Sequence, residues 1–179
     1  HGQIDKIIVM PILGAAVVGN YSLSLQIMSA MMVISSIFYK YMLPQQSAGL
    51  NIEKIKKLLI ISSIILTFIG YFLVPIILPV VFPKYIETVD TIKIMSFSLI
   101  PISIIQIYTS KFLSMEKSKF VLMGTIISIS FLIPTMIIFG MMFKISGVAI
   151  SFVSAMSIQA LYFYLINRWL SKGERIERK

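Results

Sequence analysis

Long stretches without a charged residue dominate the chain. Five of them lack Asp, Glu, Lys and Arg altogether: Ile7–Tyr39, Leu58–Phe82, Ile94–Ser110, Phe120–Phe143 and Ile145–Asn167. A helix needs roughly 20 residues to cross a bilayer, so most of these runs are long enough to span it. Their lack of period-2 alternation is not typical of a membrane β-barrel. In lipid, each segment must satisfy its own backbone hydrogen bonds, so the pattern predicts an all-α polytopic membrane helix bundle.

The first run is too long for one helix. Gly14, Gly19 and Asn20 suggest a break, so we divide the run at Gly14–Asn20. The piece before the break, from His1 to about Leu13, is too short to span and is predicted to be a partial helix. Five full spans follow: Tyr21–Lys40, Leu58–Val81, Ile92–Ser110, Phe120–Phe143 and Ile145–Arg168. We expect residues 1–179 to form a single membrane domain, the C-terminal part of a longer protein.

The connections and the prolines predict the shape of the helices. Tyr41–Lys57 has the composition of a turn followed by a short basic helix on the inner membrane surface. The last two spans are joined only by about Lys144–Gly147, which predicts an antiparallel hairpin. Four prolines fall within predicted spans and are expected to kink them: Pro75, Pro79, Pro101 and Pro134.

The composition excludes several classes of protein. Hydrophobic residues make up 58% of the chain and charged residues 13%. A water-soluble fold could not bury that much apolar surface. The first run is not read as a secretory signal, because four more hydrophobic runs follow it and no small-residue cleavage site leads into a soluble domain. The absence of cysteine excludes disulfides, thiolate nucleophiles and cysteine-based metal sites.

Basic residues orient the predicted spans, since Lys and Arg in short loops favour the cytoplasmic side. One side of the bundle would carry Lys40, Lys54, Lys56, Lys57, Lys111, Lys117, Lys119, Arg168, Lys172, Arg175, Arg178 and Lys179. The opposite side would carry only Lys84, Lys93 and Lys144. This predicts a multi-pass protein of the cytoplasmic membrane whose tail, residues 171–179, is cytoplasmic. The net charge of +9 is explained by topology and contact with membrane lipids, not by nucleic acid.

Three predicted spans carry a polar stripe with one glutamine each. The stripes contain Ser22, Gln26, Ser29 and Ser36 in one helix, Ser96, Ser103, Gln106 and Ser110 in another, and Gly147, Ser151, Ala155 and Gln159 in the last. Small and polar residues of this kind hold membrane helices together. They can equally line a water-accessible cavity for a polar substrate. The spacing leaves both interpretations open.

Asp5 and Lys6 are adjacent ionisable residues that directly precede the first uncharged run. Counted back from the break at Gly14, Asp5 would lie about nine residues, roughly 13 Å, from the outer surface, near the middle of a ~30 Å hydrocarbon core. Ionisable groups at that depth are costly and usually functional. Alternatively, the pair lies in solvent or among lipid headgroups.

Catalytic chemistry has few candidate residues. The only histidine is His1, and no Asp or Glu falls within the five full spans. Neither a carboxylate pair nor a metal cluster can therefore be built inside the predicted membrane region. We expect no enzyme activity, no metal and no cofactor.

Several segments resemble one known family. Ile4-Asp5-Lys6-Ile7-Ile8, Leu13-Gly14 and Val18-Gly19-Asn20-Tyr21-Ser22-Leu23 look like the opening of the second half of Wzx-type polysaccharide-unit flippases. These belong to the multidrug/oligosaccharidyl-lipid/polysaccharide exporter superfamily. Phe82-Pro83, Ile92-Lys93-Ile94-Met95, Phe112-Leu113, Lys119 and Ile145-Ser146-Gly147-Val148-Ala149-Ile150 are also similar.

The resemblance implies the second lobe of an inverted-V transporter, paired with an N-terminal lobe around a central cavity. Such proteins flip oligosaccharides linked to polyprenyl diphosphate by alternating access. Phosphate binding would then use Lys6, Lys111 at the inner rim or the other lobe, and ion coupling would use Asp5. Gln26, Gln106 and Gln159 are the candidate cavity donors. An exporter of drugs or other amphiphiles, or a non-transporting membrane subunit, are the alternatives.

Overall fold

The computed structural model describes residues 15–86 and 88–177, with the side chains of residues 19–86 and 88–172. Every regular element in these ranges is helical. The helices are α1 (Ala15–Ser47), α2 (Glu53–Phe68), a π-helical segment (Ile69–Leu73), α3 (Val74–Val81), a 3₁₀ turn (Pro83–Tyr85), α4 (Thr88–Ser96), α5 (Leu99–Ser114) and α6 (Ser118–Glu177). The predicted all-α class is confirmed.

Several of these helices have the length and composition of membrane spans. Three are long and apolar enough to cross a membrane: Gly19–Ser47, Glu53–Val81 and Ser118–Lys172. A fourth arises if Thr88–Ser96 and Leu99–Ser114, which are bent by 42° relative to each other, count as one span. These features are those of a membrane protein.

Prolines explain where two of the helices are interrupted. Pro101 has no N–H to bond the carbonyl of Phe97, and the turn at Phe97–Ser98 separates α4 from α5. Pro75 likewise cannot bond the carbonyl of Tyr71, and Tyr71 lies within the π-helical segment that ends just before α3. The breaks predicted at these two prolines therefore lie about one turn earlier, at the carbonyl that loses its donor.

α6 doubles back on itself at Lys144. That residue has φ 52° and ψ −132°, the only non-helical dihedral angles inside α6. The hydroxyl of Ser128 donates to the carbonyl of Ala155 across 3.4 Å, although 27 residues separate the two. A straight helix would hold them about 40 Å apart. The first arm (118–143) and the second arm (145–177) therefore pack antiparallel, as predicted.

The core runs between α1, the interrupted helices and the second arm. Fully buried members of the main cluster include Tyr21, Met28, Met95 and Val148. A smaller cluster of Met42, Ile52 and Leu59 closes the end where α1 turns into α2. Buried methionines suit this interface, because their unbranched side chains fill the irregular spaces between helices that cross at different angles.

Two local predictions are wrong. α1 is continuous from Ala15 through Gly19 and Asn20, so there is no break in that part of Gly14–Asn20. In a nonpolar environment the helix keeps its hydrogen bonds despite the glycine, since no water is present to replace them. The basic residues before Leu58 do not form a separate surface helix, because α2 begins at Glu53 and runs directly into the apolar stretch. The side-chain oxygen of Asn51 accepts the N–H of Glu53 at 2.9 Å and starts the helix there.

Candidate functional site

Two side-chain hydrogen bonds between helices show which helix ends lie together at the basic end of the bundle. We call it the lysine-rich end. Ser110 of α5 donates to the side-chain oxygen of Gln46 in α1 at 3.0 Å. The ammonium group of Lys111 donates to the side-chain oxygen of Asn167 in the second arm at 2.6 Å. The C-terminal parts of α1, α5 and the second arm therefore lie side by side, and the turn from α1 into α2 lies there as well. We call the other end, with Pro83–Tyr85 and Lys144, the opposite end.

A cavity of about 580 Å³ lies between α2, α5 and the second arm near the lysine-rich end. Its walls are mainly aliphatic, with tyrosines: Ile60, Ile100, Pro101, Ile104, Ile107, Tyr108, Ala160, Leu161 and Tyr164. Glu53, Lys56 and Lys57 lie at its margin, and we call these three residues the mouth. The cavity thus combines an apolar interior with a charged entrance.

Two further cavities continue from the first along the same face of the bundle. The second, of about 310 Å³, shares Ile100 with the first and is lined by Ile64, Thr67, Phe68, Tyr71, Phe72 and Phe97. The third, of about 490 Å³, shares Tyr71 and Phe97 with the second and reaches Asp90 and Lys93 of α4. We call these three adjoining cavities the long groove, because their shared lining residues lead from the mouth at the lysine-rich end to Asp90 and Lys93.

Both ends of the long groove carry an ion pair within one helix. Lys56 contacts Glu53 at 2.7 Å in the mouth, and Lys93 contacts Asp90 at 3.5 Å at the far end. Both pairs have i,i+3 spacing, which brings the partners onto the same helix face. Each pair fixes where a charged side chain stands, while most of the apolar lining lies between them.

The second cavity, the smallest of the three, lies at the interruptions of the helices, and we call it the constriction. The rings of Tyr71 and Phe97 meet edge to face, with centroids 5.6 Å apart. Beside them, the hydroxyl of Thr67 donates to the carbonyl of Ser96 at 3.2 Å, so α2 bonds the chain where α4 ends. A Cβ added to Gly70 would collide with the hydroxyl of Ser96. Glycine is therefore required for the π-helical segment to approach α4 this closely.

None of the three candidate glutamines lines the long groove. Gln26 is exposed on α1, Gln106 is half-buried on α5, and Gln159 is buried in the second arm with 6% of its surface exposed. The side-chain oxygen of Gln106 is buried without a hydrogen-bond partner. Gln159 continues the ridge of Gly147, Ser151 and Ala155, which packs against the first arm. In the second arm, therefore, the polar stripe serves helix packing.

Lys111, Asp5 and Lys6 are the remaining candidates. Lys111 is half-buried at the lysine-rich end and is bonded to Asn167, so it joins two helices there. Asp5 and Lys6 lie outside the described residues. Within the part of the chain that the structure describes, no three His, Asp or Glu side chains are placed to hold a metal ion.

Sequence reasoning missed the residues that line the long groove. Most of them are isoleucine, leucine and phenylalanine, and in a membrane helix such residues give no signal that separates a cavity wall from a surface facing lipid. Two signals were present, however. Glu53 and Lys56 have the spacing of a helical ion pair, and Tyr108 and Tyr164 are amphipathic residues placed near the ends of their spans.

Comparisons with protein-family models, with curated proteins and with solved structures find no match to this chain. The long groove and its charged ends are therefore the features on which a function can be based.

Proposed function

We propose that this chain is one lobe of a membrane transporter that moves lipid-linked oligosaccharides across the cytoplasmic membrane for the synthesis of surface polysaccharide. The observation that carries the proposal is the long groove. It has the charged mouth at the lysine-rich end and the ion pair of Asp90 and Lys93 at its far end. An amphiphile crossing a bilayer needs an apolar surface for its lipid part and polar groups where it enters and leaves. The long groove offers both.

The helix interruptions support a transporter that changes shape. The π-helical segment and the bend at Phe97–Ser98 lie next to each other, at the constriction made by Tyr71 and Phe97. Interrupted helices of this kind are common where membrane transporters bind and release their substrates. We therefore place the moving part of the lobe at this constriction. Alternating access would open the long groove first at the mouth and then beside Asp90.

The proposed topology has five spans and a cytoplasmic C-terminus. The spans are α1, α2 with α3, α4 with α5, and the two arms of α6, each arm counted as one crossing. Lys144 is the turn between the arms, so it lies at the opposite end from the basic residues of the mouth. The excess of Lys and Arg at the lysine-rich end supports a cytoplasmic position for that end. An N-terminal lobe of the same transporter would complete the central cavity, and exposed Gln26 is a candidate to face it.

An exporter of drugs or other amphiphiles is the second candidate function. The middle cavity of the long groove favours it, because that cavity presents no exposed polar surface. A purely apolar constriction selects for lipid-like character and not for a particular sugar. A non-transporting subunit is the third possibility. The packed ridge of Gly147, Ser151, Ala155 and Gln159 is what such a subunit would also need.

The test is substrate protection of single cysteines in the full-length gene product, within native membranes. The chain has no cysteine, so Ile104→Cys and Leu161→Cys report on the long groove without background. Leu165→Cys is the matched control, because it lies one turn beyond Leu161, is similarly exposed and does not line the cavity. Gln26→Cys, Gln106→Cys and Gln159→Cys report on the earlier candidates.

We expect a membrane-impermeant thiol reagent to label the two groove positions, and added polyprenyl-diphosphate oligosaccharide to slow that labelling at least several-fold. The control at Leu165 should not respond to the substrate. Protection by a cationic drug in place of the glycolipid would indicate the exporter function. Groove positions that stay inert under every condition would show a structural bundle without a transport path.

A further inference from the structure

We propose that the cavity at the mouth binds one anionic phospholipid from the leaflet around the lysine-rich end. Its phosphate would lie at Lys56 and Lys57, and one acyl chain would lie between α5 and the second arm. The proposal depends on the mouth and the first cavity only, and it holds whether or not the chain transports a substrate.

The first argument is the chemistry of the cavity wall. Ile100, Ile104 and Ile107 of α5 face Leu161 and Ala160 of the second arm across it. The cavity volume of about 580 Å³ falls within the range typical of sites for small organic ligands, roughly 300–1,000 Å³. An acyl chain fits such a wall because it requires no hydrogen bonds. A water-filled cavity of this composition would leave several aliphatic side chains wetted.

The second argument is the charge at the margin. Glu53 carries one negative charge, and Lys56 and Lys57 carry one positive charge each, so the mouth is positive by one. Lys56 is paired with Glu53 at 2.7 Å, and 24% of its side chain is exposed. Lys57 is exposed on the adjacent position of the same helix turn. A basic residue near the membrane surface attracts an anionic headgroup by about 1 kcal/mol.

The third argument concerns depth. Tyr108 and Tyr164 line the same cavity near the ends of α5 and the second arm. Tyrosine prefers the level of the headgroups, where its ring meets the acyl region and its hydroxyl meets polar groups. The two rings therefore suit the boundary between the phosphate and the acyl chain of a bound lipid.

Other occupants suit the site less well. A second copy of this chain, related by a twofold axis along the membrane normal, would bring its own Lys56 and Lys57 toward the same mouth and be repelled. A soluble peptide would reach the lysines but not the aliphatic wall. A phospholipid can place its phosphate at the lysines of the mouth and an acyl chain against the aliphatic wall at the same time.

The test is native mass spectrometry of the full chain, released from nanodiscs that contain equal amounts of phosphatidylglycerol and phosphatidylcholine. We expect one retained lipid per chain, with phosphatidylglycerol strongly preferred. Lys56→Gln with Lys57→Gln should reduce that preference by roughly fivefold per lysine, which is what about 1 kcal/mol each corresponds to. Lys40→Gln with Lys54→Gln removes the same charge outside the cavity lining and should leave the preference unchanged.

Two further variants test the mouth and the wall separately. Glu53→Gln removes the negative charge and should increase the preference for phosphatidylglycerol, the opposite sign to the lysine variants. Leu161→Trp should fill the cavity and abolish retention of the lipid, whereas Leu165→Trp, a similarly exposed leucine outside the lining, should not. Equal retention of both lipids by the wild-type chain, or retention unaffected by Leu161→Trp, would overturn the proposal. No oligosaccharide lipid is present in this experiment, so its outcome is separate from that of the transport test.

Discussion

A single glycine sets how closely the two arms of α6 approach each other. A Cβ added at Gly147 would collide with the backbone carbonyl of Phe139, a group that cannot rotate away as a flexible side chain can. The small residues that follow on the same face, Ser151 and Ala155, are fully buried against the first arm. Close backbone contact of this kind is the main source of helix association where lipid surrounds the protein.

We therefore expect Gly147→Ala to destabilise the protein by about 1–3 kcal/mol, the cost of overpacking a closed interface. Gly19→Ala is the control, since a Cβ there would meet nothing within 4 Å. Thermal unfolding in detergent, followed by size-exclusion chromatography, compares the two variants. A Gly147→Ala protein as stable as wild type would mean that the arms are not packed at this distance.

Individual polar residues could be identified from the sequence as important, but not the surface that they face. The burial of Gly147, Ser151 and Ala155 agrees with helix packing, one of the two interpretations that the sequence left open, and their i,i+4 spacing puts them on one helix face. The stripe on α1 is different, since Gln26 and Ser29 are exposed while Ser24 and Ser35 are buried. Which face of α1 meets its neighbours depends on the crossing angles of α4 and α5, and these are not encoded in the spacing within α1.

At the scale of the helices, the contact between α2 and the end of α4 holds two interruptions in register. The hydroxyl of Thr67 donates a shared hydrogen bond to the carbonyl of Ser63 in its own helix at 2.8 Å and to the carbonyl of Ser96 at 3.2 Å. Ser96 ends α4, so the following residues have no helical N–H for its carbonyl. Thr67 supplies the missing donor in a buried position.

Removal of this donor should loosen the constriction in the long groove. Thr67→Val keeps the shape of the side chain and should cost roughly 0.6–1.7 kcal/mol, the range measured for hydrogen bonds between membrane helices. Hydrogen exchange of residues 92–100 should become faster at the same time. Thr125→Val is the matched control, because the hydroxyl of Thr125 bonds only Val121 of its own helix. Equal effects of the two variants would show that the bond to Ser96 contributes nothing.

The helix boundaries were predictable where backbone chemistry decides them. Pro101 and Pro75 remove defined N–H groups, and both interruptions fall where those groups are missing. The glycine at position 19 misled the prediction, because glycine breaks helices mainly in water, where the exposed backbone finds other partners. The π-helical form of Ile69–Leu73 could not be foreseen, since it depends on the close approach of Gly70 to Ser96 from another helix.

At the scale of the whole molecule, the proposed topology counts the two antiparallel arms of α6 as two of five crossings. In that topology Lys84 and Lys144 would lie on one side and Lys117 on the other. Single cysteines at these positions, labelled in intact cells with an impermeant thiol reagent, test the arrangement. We expect Lys84→Cys and Lys144→Cys to react from outside and Lys117→Cys to react only after the cells are opened. Labelling of Lys117→Cys from outside would reverse the proposed orientation.

The all-helical bundle could be predicted as a whole, but the long groove could not. The uncharged runs predict that helices form and roughly where they end, because the thickness of a bilayer sets the length of a spanning helix. The long groove arises between α2, the α4–α5 pair and the second arm, and isoleucines on three separate helices become one wall only when the helices are assembled. The i,i+3 spacing of the two ion pairs was present in the sequence, but the sequence analysis did not single out the charged ends.

The reversal at Lys144 also constrains how the protein is made. Lys144, with its positive φ, connects two long apolar arms directly. No loop between the arms could stay outside the bilayer while the second arm is synthesised. In the proposed topology the two arms would therefore enter the membrane together, as a hairpin whose tip carries Lys144 to the outer side. A tag or reporter inserted at this tip would separate the two arms during membrane insertion. The same insertion at Gly49, in the turn after α1, would leave the arms connected.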